Sequence, residues 1–384
     1  MLRCLRSTTP MNLPSSVMGA MRAAGLSPSI RGFSDEATVA PTTAEQAAAV
    51  LAAAAAEDLS VGFRGAGTRD EVGGPRTYAI GMLSSGMAEV IDWPVEDLTI
   101  VVGSGIAVGE LEAMLNEKGQ TSLLPTGEPH RTVGGIVAEG ESGYGRLKHG
   151  PTRDRVLEVT LATGYGKVVR GGGRLVKNVT GYDLPRLVTG SLGSLGFITS
   201  VCLKLWPLPP KRSIISVDDA AAAYEQLYRP FAIVESDAGS YVAIEGSAKD
   251  ISIQAASIGA QIDDQISLPT VISEPVLISV RVPPGSLAAA LRLVFDRRPD
   301  RFVAQHGVGI IEAGWSRIAV DQVNDLRGKV ESLGGAAVVL RSNGLLPGVD
   351  PWGTAPPTMS IQQRLKQLFD PSGICNPGKL PGGL

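Results

Sequence analysis

Glycine-rich loops beside short apolar runs are the residues of this sequence that could do chemistry. The run RGAGT, residues 64–68, directly follows a short, mostly apolar run at 60–63. Its small residues would let successive backbone N–H groups converge on an anion, and the Thr68 hydroxyl adds a further donor. The run matches neither the P-loop nor the GxGxxG pattern. It therefore predicts a phosphate cradle, with a purely structural turn at a strand end as the alternative.

A second glycine-rich stretch runs from Pro125 to Pro209. Within it TVGGIVA, residues 132–138, predicts a turn whose amides face a ligand, with a plain hairpin as the alternative. A cluster of basic residues interspersed with glycines predicts a loop that faces an anion or, alternatively, a solvated charged surface: Arg146, Lys148, His149, Arg153 and Arg155. The later run GGG at 171–173 precedes Lys177, Asn178 and Tyr182, in a polar insertion between apolar strands.

The composition excludes several classes of protein. The chain of 384 residues is 43% hydrophobic, which is enough for two domains or for one large domain with an insertion. A net charge of −3 and an aromatic content of 5% favour neither nucleic acid nor an anionic membrane as a partner. Its three cysteines form no CxxC pair and its three histidines show no helical metal spacing. We therefore expect neither a disulfide framework nor a protein-built metal site.

Residues 1–35 form a basic N-terminal leader with few acids. Pro10 and Pro14 interrupt it before a signal-peptide core could form. No apolar run of the chain reaches the roughly 20 residues that span a bilayer. We expect a frayed or loosely packed leader with a short helix near Val17–Ala24, and a cytoplasmic protein.

Alternating strands and helices before Pro210 predict an α/β arrangement. The predicted elements there are helices at Ala47–Glu57 and Ala107–Lys118 and strands at Ser60–Phe63, Leu98–Gly103, Val156–Leu161 and Gly196–Val201. From Pro210 onward, mixed elements without a long parallel run predict a compact α+β cap, followed by a return linker at Pro347–Pro357. The cap strands are predicted at Ile214–Val217, Tyr241–Glu245, Ile251–Ile253, Leu277–Val282, Phe302–Gly307, Ile310–Ala313 and Ala336–Leu340, and its helices at Asp219–Tyr228, Ser286–Phe295 and Asp321–Leu333.

Five motifs occur in an order that resembles a known flavoprotein family. They are RGAGT, TVGGIVA, the run from Ser142 to Asp154, GGGRLVKNVTGYDLPRLVTGSLGSLGFIT and DPSGICNPGKL. The resemblance is to the vanillyl-alcohol oxidase family with its PCMH-type FAD-binding domain, and within it to the FAD-binding subunits of glycolate oxidases. It covers Thr38–Pro209 and Phe369–Leu384. It implies an α+β fold in which a split FAD-binding domain of two α/β subdomains, residues 36–210 and 350–384, surrounds an inserted cap at 211–349.

The resemblance implies a role for each motif by its position. The FAD pyrophosphate would be bound by Arg64, Gly65, Ala66, Gly67, Thr68 and Arg69. The ribityl and adenine path would be lined by Pro125, Thr132, Gly134, Gly135, Ser142 and Gly143. Arg146, His149, Gly150 and Asp154 would lie beside the flavin or its phosphates, and Gly196 and Ile198 would hold the adenosine end. The isoalloxazine ring would be approached by Lys177, Asn178, Asn376 and Lys379, since a cation at its edge stabilises the reduced anion.

Two candidate residues, Lys177 and His306, carry alternatives. Lys177 is either the flavin-edge cation or a surface lysine. His306 is either a catalytic group or a structural, ring-stacking histidine, since the paired histidines (HxxxxGxxH) of the related D-2-hydroxyacid dehydrogenases are missing around it. Covalent members of the family attach flavin through a histidine near the pyrophosphate loop, where this chain has Thr68 and Arg69. The resemblance therefore implies FAD that is bound without a covalent bond.

The function implied is the two-electron oxidation of a 2-hydroxy acid such as glycolate by an FAD-dependent oxidoreductase. The chain offers no cysteine cluster for onward electron transfer, so flavin and iron–sulfur partner subunits are expected, through which a cytoplasmic chain would associate with a membrane. Three alternatives stay open: a stand-alone D-2-hydroxyacid dehydrogenase, a non-catalytic FAD-carrying relay subunit, and a nucleotide- or sugar-phosphate-binding module without redox chemistry.

Overall fold

The computed structural model describes residues 13–30, 37–174, 182–262, 266–269 and 272–384. The helices are α1 Ser15–Ala23, α2 Ala44–Ala56, α3 Val108–Glu117, α4 Val133–Glu139, α5 Arg146–His149, α6 Leu184–Val188, α7 Ala220–Gln226, α8 Ala248–Ser257, α9 Leu287–Phe295, α10 Val320–Ser332 and α11 Met359–Phe369. The strands are β1 Ser29–Ile30, β2 Ala37–Val39, β3 Val61–Arg64, β4 Ile80–Leu83, β5 Val90–Asp92, β6 Thr99–Gly103, β7 Gln120–Thr121, β8 Val156–Ala162, β9 Val168–Gly172, β10 Phe197–Lys204, β11 Trp206–Pro207, β12 Lys211–Val217, β13 Ala232–Ser236, β14 Gly239–Gly246, β15 Val276–Arg281, β16 Arg301–Gln305, β17 Ile310–Trp315 and β18 Ala336–Arg341.

The first sheet has the strand order β1-β2-β4-β3, and its β2, β4 and β3 run parallel. Parallel strands of one sheet need a crossover connection, and the alanine-rich helix α2 connects β2 to β3, which lie on either side of β4. Thr43 caps α2 by accepting a hydrogen bond from the Gln46 N–H at 3.2 Å. Cys375, far along the chain, forms a parallel bridge with Val61 of β3. The C-terminal segment therefore continues this sheet beyond its edge strand.

The second sheet is antiparallel, with the order β5-β6-β10-β8-β9. Helices α3 and α4 pack on it through Leu111, Ile136 and Val137. The TVGG stretch begins α4 and is not the hairpin considered from the sequence. A helix forms there because Thr132 caps it, accepting from the Gly135 N–H at 3.2 Å, and because Val133, Ile136 and Val137 enter the core at helical spacing.

The cap contains one seven-stranded antiparallel sheet, β12-β14-β13-β16-β17-β15-β18. Helices α9 and α10 pack on one part of it and α7 and α8 on another. Its remaining apolar surface, which includes Phe231 and Val303, packs against Leu123 and Tyr144 of the first half of the chain. The cap thereby packs directly on residues that lie before and after α4 in the chain.

Two local predictions are wrong. Ile251–Ile253 lies inside α8 and is no strand, because Ser247 caps the helix by accepting from the Asp250 N–H at 3.1 Å and Ile251 is buried. The leader is not loosely packed over its described part, since α1 buries Val17 and Met21 completely against α2. Within the described residues no helix is both long and apolar enough to cross a membrane.

Candidate cofactor site

A cleft with about 840 Å³ of empty space, its open mouth included, lies where both sheets of the first half and the C-terminal segment meet. Its walls comprise Phe63, Arg64, Gly65, Ala66, Gly67, Thr68, Arg69, Asp70, Val72, Ser84, Ser104, Arg131, Thr132, Gly134, Gly135, Ala138, Glu139, Leu192, Gly193, Gly196, Phe197, Ile198, Asn376 and Lys379.

Glycine at position 65 is required by the close approach of two elements. A Cβ atom on Gly65 would lie 2.0 Å from the Thr132 Oγ1, which caps α4. A Cβ on Gly134 would likewise lie 2.6 Å from the Ser104 Cβ. The loop after β3, the start of α4 and the turn after β6 therefore meet with backbone exposed to the cleft. This is the arrangement in which backbone amides can bind an anion.

Two buried hydroxyls in the cleft wall have no hydrogen-bond partner among the described residues. Ser84 is 5% exposed and Ser104 is 1% exposed, and both side chains line the cleft. A buried hydroxyl without a partner costs free energy, so its presence at a cleft indicates a ligand that completes it. Together with the glycine-lined anion cradle, these hydroxyls fit a long polar ligand carrying phosphates, such as FAD. No sequence motif marks either serine.

Three side chains after the cap hold the cleft together, and we call them the C-terminal clasp: Lys366, Asn376 and Lys379. The Asn376 amide accepts from the Phe63 N–H at 2.7 Å and donates to the Leu192 carbonyl at 2.7 Å. The Lys379 ammonium donates to the carbonyls of Asp70, Val72 and Gly74.

The third clasp residue, Lys366, holds the C-terminal segment against the residues around Ser194. Its ammonium donates to the Ser194 and Cys375 carbonyls at 2.8 and 2.7 Å and pairs with Asp370 at 2.7 Å. Burial lowers the pKa of the Lys379 ammonium group from its usual 10.5 to about 8. Asn376 and Lys379 thus lie in the cleft wall with their polar atoms engaged by backbone groups.

A carboxylate cluster, Glu128, Glu139 and Glu141, surrounds two guanidinium groups at the cleft. Arg69 pairs with Glu128 at 2.6 Å and lies 3.5 Å from both Glu139 and Glu141. Arg131, only 4% exposed, pairs with Glu139 at 2.5 Å and also with Glu141. Burial, and then the neighbouring Glu141, raise the pKa of Glu139 to about 7. The spacing of these three glutamates in the sequence is irregular and forms no motif. The sequence therefore did not predict the cluster, because only the fold brings the acids to Arg69.

Most of the predicted residues between 125 and 154 do not line the cleft. Ser142 accepts from the Thr152 N–H at 3.0 Å, and Asp154 pairs with Arg186 at 3.0 Å. A Cβ on Gly143 would lie 3.1 Å from the Pro125 Cβ, so these two pack on each other. The positions concerned are Pro125, Ser142, Gly143, Arg146, His149, Gly150 and Asp154.

His149 belongs to an interdomain latch, which we define as Glu245 with Lys148, His149 and Arg212. The Glu245 carboxylate, on cap strand β14, lies 3.1 Å from the Lys148 ammonium and 3.2 Å from the His149 Nε2 and also pairs with Arg212. Although burial opposes ionisation, the hydrogen bond with His149 and the Arg212 guanidinium lower the pKa of Glu245 to about 2. The latch joins α5 to the cap.

None of the three predicted catalytic residues is found in the cleft wall: one lies elsewhere, and two are not among the residues that the structure describes. Lys177 and Asn178 lie outside the described residues. His306 is placed in the cap, where its Nε2 lies 2.9 Å from the Glu235 carboxylate and where it lines a small cavity with Tyr144 and Ile233. It is not among the residues that line the cofactor cleft.

Two family models match the chain at the elements that build the cleft. Residues 36–172 match the FAD binding domain, and residues 353–380, which contain the clasp, match the C-terminal domain of FAD linked oxidases. The chain is thus an FAD-linked oxidoreductase, and its cofactor is FAD.

Relatives named for 2-hydroxy acids are similar to this chain. It is 24% identical to "D-lactate dehydrogenase" of Archaeoglobus fulgidus, over 89% of this chain and 90% of that protein. It is 28% identical to "Glycolate oxidase subunit GlcE" of Escherichia coli, over 76% of this chain and 84% of that protein. To "Glycolate oxidase subunit GlcD" of Bacillus subtilis it is 31% identical, over 49% of this chain and only 41% of that protein.

Solved structures share the fold. A carbohydrate oxidase from Microdochium nivale superposes with a TM-score of 0.69 at 15% identity, covering 94% of this chain and 98% of that chain. An alkyldihydroxyacetonephosphate synthase superposes with a TM-score of 0.65 at 16% identity, covering 89% of this chain and 76% of that chain. The α+β fold of the PCMH type expected from the sequence is thereby confirmed, and the matched domains confirm the FAD cofactor.

Proposed function

We propose that this protein oxidises a 2-hydroxy acid such as glycolate or D-lactate with bound FAD. The observation that carries the proposal is the cleft, since its anion cradle and two unpartnered serine hydroxyls lie within the matched FAD binding domain. The substrate class is supported by the names of the relatives, because glycolate and lactate are both 2-hydroxycarboxylates. Bound FAD supplies the two-electron acceptor for the substrate carbon.

The residues of the cleft divide the work of binding. The amides of residues 64–69 and the Ser84 and Ser104 hydroxyls hold the phosphates and neighbouring polar groups of the cofactor. Asn376 and Lys379 fix the backbone on which those amides sit. We assign the cofactor to a domain made of residues 36–210 and 350–384, and a substrate- or subunit-facing role to the cap at 211–349.

We also propose that the chain works as one subunit of a complex. Two relatives are named as subunits of a glycolate oxidase, and a reduced flavin must pass its electrons on. Flavin and iron–sulfur partner subunits would serve as acceptors. A stand-alone D-2-hydroxyacid dehydrogenase is the second candidate, favoured by the 90% coverage of the archaeal D-lactate dehydrogenase.

Anaerobic addition of a panel of 2-hydroxy acids to the purified protein tests the reaction. We expect glycolate or D-lactate to bleach the visible absorbance of the flavin, and boiling to release FAD and not FMN. Flavin that stays oxidised with every acid, while dithionite still reduces it, would leave a non-catalytic relay subunit. Acid precipitation should separate the colour from the protein, since we expect no covalent bond. Co-expression with partner subunits should raise dye reduction if the chain is a subunit.

A further inference from the structure

A turn at residues 70–74, which we call the loop extension, directly follows the cofactor loop at 64–69 and contacts the cap. The Val72 N–H donates to the Arg69 carbonyl at 3.1 Å. The Gly74 N–H donates to the Glu71 carbonyl at 2.7 Å. Gly73 and Gly74 adopt positive φ, which glycine permits without strain. The extension is therefore a compact turn, and it is covalently continuous with the loop that binds the cofactor.

Glu71 joins the loop extension to the end of the cap. Its carboxylate Oε2 accepts hydrogen bonds from the Ser342 N–H and the Asn343 N–H, both at 3.1 Å. Ser342 directly follows β18, the edge strand of the cap sheet, and its carbonyl accepts from the Leu345 N–H at 2.8 Å. We call this mostly exposed turn, residues 342–345, the exit turn. One carboxylate oxygen thus holds two backbone donors of the exit turn by charge-assisted hydrogen bonds, which are the stronger kind.

A second connection reaches the loop extension through the return linker. On the cap side, the Arg327 guanidinium of α10 donates to the Asp350 and Pro351 carbonyls at 2.6 and 2.9 Å. The adjacent Trp352 donates its indole N–H to the Lys379 carbonyl at 3.0 Å. The Lys379 ammonium in turn donates to three carbonyls of the extension. The cap and the loop extension are therefore joined at two places.

Glu71 is not among the residues that line the cofactor cleft, whereas its neighbours Asp70 and Val72 are. Residues 342–345 are likewise not part of the described cleft wall. Glu71 and the exit turn therefore act on the cofactor through the backbone of the loop extension and not by direct contact. Because the two donors of the exit turn are backbone N–H groups, changes of the side chains at 342 and 343 leave them in place.

We propose that Glu71 is a positioning residue that couples FAD binding to the order of the exit turn of the cap. Binding of FAD at residues 64–69 restricts the loop extension, and a restricted extension loses less conformational entropy when it holds the two amides of the exit turn. By linkage, any contact that orders the exit turn tightens FAD by the same factor. The inference needs only that the chain binds FAD, and it goes beyond the proposed oxidation of a hydroxy acid.

Hydrogen exchange, followed by mass spectrometry in the FAD-free and the FAD-loaded protein, measures the first direction of this coupling. We expect FAD to slow exchange about fivefold in a peptide that covers residues 336–346, which is the lower end of typical coupling between two sites. In Glu71→Ala, FAD should leave the exchange of that peptide unchanged. A peptide from β12, at the opposite edge of the cap sheet, is the control and should show no such effect of FAD in either protein.

The dissociation constant of FAD, measured by flavin fluorescence, gives the reciprocal direction. Glu71→Ala should weaken FAD about fivefold, the same factor as in the exchange experiment. The loss should not be larger, because Trp352 and Lys379 still hold the extension. Glu71→Gln keeps a side-chain oxygen that accepts hydrogen bonds, so it should restore most of the affinity and of the protection. The control Glu225→Ala, at an exposed position of α7, should match the wild type.

The outcomes separate this inference from the proposed function. Exchange at residues 336–346 that does not respond to FAD in the wild type would overturn the inference. Protection by FAD that persists in Glu71→Ala would also overturn it, even if that variant bound FAD more weakly, because Glu71 would then only stabilise its own loop. Neither measurement uses a substrate. A flavin that no hydroxy acid reduces would therefore overturn the proposed function and leave this coupling in place.

Discussion

The C-terminal clasp and the interdomain latch hold two neighbouring parts of the molecule by different physical means. The clasp residues Asn376 and Lys379 bond to backbone carbonyls and amides, so they fix main-chain positions at the cofactor loop. The latch places one carboxylate, Glu245, among three basic side chains of two different halves. The pKa of Lys379 lies near 8 and that of Glu245 near 2. Cofactor retention and cap docking should therefore fail at opposite ends of the pH scale.

Removing the Lys379 ammonium group of the clasp should have the largest effect. In Lys379→Met three backbone carbonyls lose a charged donor, and we expect FAD affinity to fall by about 10²-fold, since such bonds are worth roughly 1.5–3 kcal/mol. Flavin fluorescence on titration of the FAD-free protein measures the dissociation constant. Lys118→Met, on an exposed helix end, is the matched control. Equal affinities in the two variants would show that the clasp does not hold the cofactor loop.

Neutralising the latch should have the next largest effect, and on stability rather than on FAD. Glu245→Gln leaves its basic partners unpaired, so we expect the free energy of unfolding at pH 7 to fall by roughly 2 kcal/mol in urea titrations. The folded pKa of Glu245 lies below the usual 4.5, so its contribution is complete above pH 4.5 and disappears as pH falls towards 2. The variant should therefore lose less stability than the wild type over that interval. The same acid sensitivity in both proteins would exclude the latch as its cause.

A smaller effect should follow from cutting one bridge of the clasp. Asn376→Ala removes the bonds to Phe63 and Leu192, and we expect a loss of FAD affinity of about tenfold. Asn376 also has a left-handed backbone, φ +40°, which alanine tolerates poorly. Asn343→Ala, at an exposed position with φ +45°, controls for that strain. A loss of affinity as large in the control would assign the effect to backbone strain.

The smallest effect should be the pH dependence of FAD binding. Burial disfavours the charged Lys379, so between pH 8 and 10.5 the unfolded chain binds more protons and global stability from this group rises with pH. FAD phosphates favour the charged form, so its affinity should instead fall severalfold above pH 8. Lys379→Met should lack this fall. A parallel fall in the variant would assign it to another group.

The sequence predicted the cofactor side of this comparison better than the cap side. The RGAGT and TVGG motifs line the cleft because glycine spacing is a local property, read directly from neighbouring residues. Phe63 is 313 positions from Asn376 and Val72 is 307 positions from Lys379, while Leu192 is 184 positions from Asn376, so no local pattern encodes these pairings. Ser84 and Ser104 belong to no motif, so their orphaned hydroxyls emerge only from packing.

Charge patterns are limited for a related physical reason. The basic run around His149 predicted an anion-facing loop, and the fold places against Lys148 and His149 a protein carboxylate, Glu245, from the cap. A run of basic residues predicts that a negative charge lies nearby, but it does not predict whether a ligand or another part of the protein provides that charge. The strand predicted at Ile251–Ile253 is wrong because β-branched residues favour strands. There the hydrogen bond to the helix N-cap residue Ser247 and the burial of Ile251 stabilise a helix.

The bridge between Val61 and Cys375 has a consequence for how the molecule is made. Strand β3 is the edge of the first sheet, and the segment that covers it is synthesised only after the whole cap. On the ribosome, the emerging chain therefore carries an uncovered strand edge, which is a template for pairing with other chains. Cofactor loading must wait for release of nearly the entire polypeptide. Chaperone protection should matter most in that interval.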